Sequence, residues 1–182
     1  MNTVDPIREI SDIQKMKSVL LASSYRDYLF FLLGINTGLR ISDILNLKVS
    51  DVRNKYHIII REQKTGKEKK FMLNDSLKEE LDRFISSKGD DDFIFESKRT
   101  RNKPLERTRA YFILNRAAET AGLKIRIGTH TLRKTFGFHF YQRTKDIALL
   151  QQLFNHSGQS VTLRYIGINQ SVSDEAMREF NL

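Results

Sequence analysis

The sequence predicts an α+β fold that is mostly α-helical, with one small antiparallel β-ribbon. Three observations lead there. Apolar residues recur at helical spacing before residue 50 and again after residue 107. A single β-branched run, Ile58 to Ile60, is followed by turn chemistry at Thr65-Gly66 and a second apolar run from Phe71 to Leu73. The chain has 182 residues with no low-complexity segment, repeat or Pro/Gly-rich linker, enough for one compact domain with a real core.

The first helix is expected where Ile10, Ile13, Met16, Lys17 and Leu20 share a stripe, with Ser11 or Asp12 as its cap. A second runs through "RDYLFFLLGIN" and is apolar almost all round, so it belongs at the centre of the core. It should stop at "NTGLR", where Gly38 supplies a positive-φ C-terminal position. Ser42 and Asp43 then offer caps for a short helix carrying Ile44, Leu45 and Leu47. The ribbon occupies "KYHIIIREQKTGKEKKFML" and has a basic, polar tip. Leu77, Leu81, Phe84 and Ile85 restore helical periodicity. "DFIF" reads as a short strand leading into the basic loop "ESKRTRNKP". From Arg107 onward the helices are "RTRAYFILNRAAETAG", "THTLRKTFGFHFYQR", "DIALLQQLF" and a last one from Ser173.

Composition narrows the partners. Lys and Arg total 31 against 22 Asp and Glu, a formal charge of +9, which points to a polyanion and first to nucleic acid. Cysteine is absent, which excludes disulfides, thiolate metal sites and thiol nucleophiles. The four histidines are scattered without metal-ligand spacing, so no metal is expected. "MNTVDPIREI" lacks a signal-peptide core, and "YLFFLLGI" is too short to span a bilayer. A cytoplasmic protein without membrane partners is the expectation.

Four motifs hold chemistry. In "GTHTLRKTFGFHF", with Thr129 or Thr131 as cap, His130 and Arg133 share a face at a helix N-terminus, a good phosphate site or a solvated basic end. Leu132, Phe136 and Phe140 would anchor another face of that helix. Arg40 lies on the tight corner "NTGLRISDIL", where its donors need a carboxylate such as Asp43, or a phosphate. Lys64 opens the ribbon turn "QKTGK", either as a solvated charge or as a proton donor in a nucleic-acid groove. "NHSGQSVTLRYIG" contains His156 and, nine residues on, Tyr165, a core aromatic or a nucleophile.

In order and spacing, "TGLRISDILNLKVSDV", "KTGK", "HTLRKTF" and "LFNHSGQSVTLRYIG" resemble the catalytic domain of the tyrosine recombinase (phage integrase) family over nearly the whole chain. The resemblance implies that fold and metal-independent strand exchange without a cofactor. Arg40 and Arg133 would clamp the non-bridging phosphate oxygens, supported by Asp43, and His156 would donate a further hydrogen bond. His130 would assist proton transfer from the tyrosine or stabilise the phosphorane. Lys64, with Lys67 as its rival, would protonate the departing 5′-oxygen. Tyr165 would attack phosphorus and form a 3′-phosphotyrosyl link.

Lys67, Arg99, Arg101, Lys103, Lys134 and Arg164 are expected to contact DNA. His139 is read as structural and His57 as a surface residue. The chain departs from many members at Asn155, where they have a small residue, and at Lys134, where they have a second histidine or another residue. The expected partners are double-stranded DNA and copies of the same chain, up to a tetramer. Residues 1–182 read as one catalytic domain without the family's N-terminal core-binding domain, so weak, steeply salt-dependent DNA binding is expected. The tail 173–182, with Met177 and Phe180, either docks on a neighbouring protomer or packs on its own domain. Two alternatives are a DNA-binding remnant without turnover and relaxation of the type IB topoisomerase kind.

Overall fold

The computed structural model describes residues 4–61, 68–100, 102–125, 127–128, 130–168, 177–178 and 180. Helix α1 (Ile10–Ser23) buries Ile13, Met16 and Leu20. Its stripe does not include Ile10, which is 59% exposed, because Ile7 just upstream occupies the core at 1% exposure. The helix is entered from Glu9, so Ser11 and Asp12 lie inside its first turn and cap nothing. Asp12 bonds Lys15 at 2.8 Å instead.

Helix α2 (Tyr25–Thr37) buries Leu29 to Leu33 and forms the centre of the fold, as its all-round apolarity predicts. It ends at Gly38 with φ +66, and a Cβ there would lie 2.4 Å from Phe136 Cδ1. Conformation and space therefore both demand glycine. Helix α3 (Ile41–Leu45) begins directly after Arg40, whose extended backbone turns the corner. Ser42 and Asp43 are thus first-turn residues rather than caps.

Strands β1 (His57–Arg61) and β2 (Glu68–Met72) pair antiparallel with Ile58 opposite Phe71, both of them buried. Its tip, with Lys64 and Lys67, lies outside the described residues. Helix α4 (Asp75–Ile85) is capped by Asn74, whose side chain accepts the Leu77 N–H at 2.9 Å. The expected "DFIF" strand is only two isolated bridges, Lys48 to Phe93 and Glu96 to Pro104. Ile94 and Phe95 are fully buried between them, so packing fixes this segment without a ladder.

Helices α5 (Arg107–Thr120), α6 (Thr131–Thr144), α7 (Ile147–Phe154) and α8 (Gln159–Tyr165) complete the domain. Helix α6 starts after His130, which caps nothing with its ring. Thr131 Oγ1 accepts the Gly128 N–H at 3.0 Å, and Thr129 is outside the described residues. Only Met177 and Arg178 of the last predicted helix are described as helical.

Most apolar side chains form one large core around α2, while Leu150, Phe154 and Ile166 form a second, smaller one. Helices α6 and α8 meet over this second core at Gly137, where a Cβ would fall 2.7 Å from Ile166 and 2.8 Å from Phe154. The missing side chain lets α8 lie close to the helix that carries His130 and Arg133.

Candidate active site

Arg133 organises the site. It is 5% exposed, and its guanidinium donates to Gly38 O at 2.5 Å and Phe154 O at 3.0 Å. These are carbonyls at the C-terminal ends of α2 and α7, where helix acceptors lack intrahelical partners and the dipole favours cations. The guanidinium also stacks 4.1 Å from the Phe154 ring centroid. Burial first, and the neighbouring Arg40 charge, lower its pKa to about 10, while Tyr165 and Asp43 pull the other way. It stays cationic at neutral pH and presents a charge to the Tyr165 hydroxyl.

Tyr165 packs on the core and also turns its hydroxyl to the site. Its ring packs on the second core, 5.7 Å from Phe154 and 5.0 Å from His156 between centroids. Its hydroxyl lies 3.1 Å from His130 Nδ1. Burial pushes the phenol above its ordinary value of 10.0, and the charges of Arg133 and Arg40 work against that rise. The same desolvation, then Arg133, Lys134, Arg40 and Arg107, hold His130 below its ordinary 6.5. The imidazole is therefore neutral at pH 7 and able to accept the phenol proton.

His156 follows the α7 terminus, where Asn155 takes the left-handed conformation at φ 54. Asparagine tolerates that region better than most residues, which explains its presence there. His156 Nδ1 lies 3.1 Å from Thr162 Oγ1, a hydroxyl also 3.1 Å from Gly158 O. The hydroxyl donates to Gly158 O and so accepts from Nδ1–H, which leaves Nε2 as the lone-pair nitrogen of the neutral ring; protonation of the ring beside a phosphate gives Nε2 a proton to donate. Burial first, then Arg133, Arg40 and Lys69, lower this histidine too.

Arg40 stands at the mouth of the site. Its charge bears on Asp43, His130, Arg133, His156 and Tyr165. Burial raises the Asp43 carboxyl, and Arg40 and then Arg133 counter it. Asp43 thus sits where it can hold both guanidinium groups. The structure therefore brings together Arg40, Asp43, His130, Arg133, His156 and Tyr165.

It does not gather the other expected residues in the same way. Lys64, Lys67 and Arg101 are outside the described residues. Arg99 and Lys103 are exposed on the 97–103 loop, and Arg99 lines a separate recess of about 280 Å³ with Arg26, Lys98 and Arg109. Arg164 is exposed beside Tyr165. Lys134 is 8% exposed rather than on the surface expected of a DNA contact. Its ammonium donates to Val4 O at 2.7 Å and lies 5.3 Å from the Tyr165 ring centroid.

Lys69 of β2 is a cation the motifs did not single out. It donates to Leu153 O at 3.3 Å, and its charge reaches His156. The period of two could have found it, since Lys69 falls on the same side of β2 as buried Phe71. His139 Nε2 donates to Ile7 O at 2.9 Å, a structural role, and His57 is exposed.

Among the described residues no helix is long and apolar enough to cross a membrane, and no three acidic, His or Cys side chains converge as a metal site. The cluster pairs a phenol with a neutral proton acceptor inside a ring of fixed cations, an arrangement suited to nucleophilic attack on an anionic phosphodiester.

The "Phage integrase family" model matches residues 6–171. A Bacillus subtilis protein described as a probable integrase/recombinase, YoeC, is 51% identical over 180 residues, covering 99% of this chain and 98% of that protein. Tyrosine recombinase XerA of Pyrococcus horikoshii is 29% identical across 96% of this chain, which spans 62% of XerA. A crystal structure of XerA recombinase superimposes with a TM-score of 0.77 at 22% identity, over 99% of this chain and 68% of that one.

Proposed function

The chain belongs to the phage integrase family of tyrosine recombinases, and from that premise we propose that it cleaves and rejoins DNA strands through a 3′-phosphotyrosyl intermediate. The observation that carries the proposal is the 3.1 Å contact between the Tyr165 hydroxyl and neutral His130, beside the buried Arg133.

The Tyr165 oxygen attacks phosphorus as its proton passes to His130. The bond to the 5′-oxygen breaks in line, and Lys64 at the ribbon tip protonates that oxygen. Arg40 and Arg133 bind the non-bridging oxygens, and His156, protonated beside the phosphate, donates through Nε2. These fixed donors stabilise charge that builds on the phosphorane, the kind of interaction worth roughly 10²–10³ per donor. The phosphotyrosyl bond keeps the energy of the phosphodiester, so the 5′-hydroxyl of another strand can reverse the step without ATP.

The substrate is double-stranded DNA, residues 1–182 act as one catalytic domain, and the setting is the cytoplasm. Copies assemble on DNA, up to a tetramer, with the tail 173–182 of one protomer on the next. A cavity of about 580 Å³ supports that docking. It combines Phe71, Met72, Phe136 and Phe140 with His57, Lys70, His139 and Arg143. The tail "SDEAMREFNL" offers the complementary set, Asp174, Glu175 and Glu179 with Met177 and Phe180. Light scattering on DNA should show loss of the assembly when 173–182 is deleted, and unchanged assembly counts against docking.

The decisive experiment uses nicked suicide duplexes drawn from a randomised pool. The chain should yield a denaturation-resistant DNA adduct, and Tyr165→Phe should abolish it while leaving DNA affinity unchanged. An adduct that survives in Tyr165→Phe removes the assignment of the nucleophile.

A further inference from the structure

Residues Val4 to Arg8 are not part of the catalytic cluster, yet they touch α6, which carries Arg133, and the turn just past α8, which carries Tyr165. The strap runs along α6 through three hydrogen bonds. Lys134 Nζ donates to Val4 O at 2.7 Å, the Ile7 N–H donates to Thr135 Oγ1 at 2.9 Å, and His139 Nε2 donates to Ile7 O at 2.9 Å. Thr135 and His139 are four apart, so one face of α6 holds the strap. Ile7 is 1% exposed and anchors it in the main core.

Arg8 then leaves α6. Its Nη2 donates to Gly167 O at 2.9 Å, two residues beyond Tyr165, and its guanidinium lies 5.3 Å from the Phe138 ring of α6. The strap therefore clips the end of α8 to the flank of α6. Lys134 adds a second link, because the ammonium held by Val4 O also lies over the face of the Tyr165 ring.

We propose that the strap Val4–Arg8 is a positioning device that sets α8 against α6, and with it the separation of Tyr165 from His130 and Arg133, with Arg8 as the positioning residue. The inference rests on the cleavage reading above. Helix α8 has only seven residues, and beyond Thr162, Tyr165 and Ile166 it has few anchors, so a tether just past its end helps to fix where it lies. A displacement near 1 Å at such a site lowers rate by about 10²-fold.

Two readouts test it on Arg8→Gln and Arg8→Lys. Amide hydrogen exchange without DNA should be about tenfold faster across 159–168 in Arg8→Gln and unchanged across α4, residues 75–85. Single-turnover cleavage of a suicide duplex should slow by about 10–100-fold at unchanged DNA affinity, and Arg8→Lys should restore most of the rate. Unchanged exchange across 159–168 overturns the proposal. So does a uniform rise that includes α4, or faster local exchange with an unchanged cleavage rate. A wild-type chain that forms no adduct sinks the cleavage reading; local exchange that still quickens in Arg8→Gln supports the tether, and exchange that does not quicken overturns it.

Discussion

Replacing His130 by alanine removes the proton acceptor 3.1 Å from the Tyr165 hydroxyl while leaving Arg40, Arg133 and His156 in place. Burial holds the Tyr165 phenol above 10.0, so at most about one molecule in a thousand is ionised at pH 7. A neutral acceptor in hydrogen-bond contact bypasses that scarcity. Its loss should therefore lower single-turnover cleavage by about 10³-fold or more at pH 7, roughly 4 kcal/mol of barrier.

The deficit must also depend on pH. Hydroxide replaces the missing base, so the variant should gain about tenfold per pH unit and approach the wild type only in strong alkali, above the ordinary phenol range. The wild type should be nearly flat above 6.5 and fall in acid as His130 protonates, with a midpoint below 6.5. Desolvation first, then Arg133, Lys134, Arg40 and Arg107, disfavour its charged form. The assay is adduct formation on a suicide duplex from pH 5 to 9.5 with DNA in excess. A deficit that stays constant from pH 6.5 to 9 would refute proton acceptance by His130 and leave it only a phosphorane contact.

Arg133→Lys keeps the charge but cannot bond Gly38 O and Phe154 O while also facing Tyr165. Cleavage should fall ~10²–10³-fold and urea denaturation should show a loss of about 1–3 kcal/mol. Gly38→Ala places a Cβ 2.4 Å from Phe136 at φ +66. Left-handed strain and overpacking together should cost about 2–4 kcal/mol in the same denaturation experiment. His130 and His156 are both held below 6.5 in the folded chain, so the unfolded chain binds protons more readily. Their contribution to stability is intact above pH 6.5 and is lost as pH falls toward the lowered values; His156→Gln should flatten the decline of urea midpoint between pH 7 and 5.

Much of the fold was legible because its cues are local. The all-round apolarity of "LFFLL", the glycine that ends α2 and the β-branched run of β1 each act within a few residues. The misses arose where a distant segment intervened. Ile10 lost its core place to Ile7, and "DFIF" found single bridges where a strand was expected. The caps proposed at Ser11, Ser42 and Thr131 were displaced by one or two residues, since helix starts depend on what the preceding chain packs against.

The sequence by itself determined most of the helix order and the ribbon, because short-range periodicity encodes them, and its motifs around Arg40, His130, Arg133, His156 and Tyr165 carried the resemblance to the family. Only the tertiary structure decided that Tyr165 is at once a wall of the second core and a partner of His130. It alone tied Arg133 to Gly38, 95 residues away, buried Lys134 against Val4, 130 away, and clipped Arg8 to Gly167, 159 away. Such contacts depend on how whole helices pack, and no local pattern of residues specifies that.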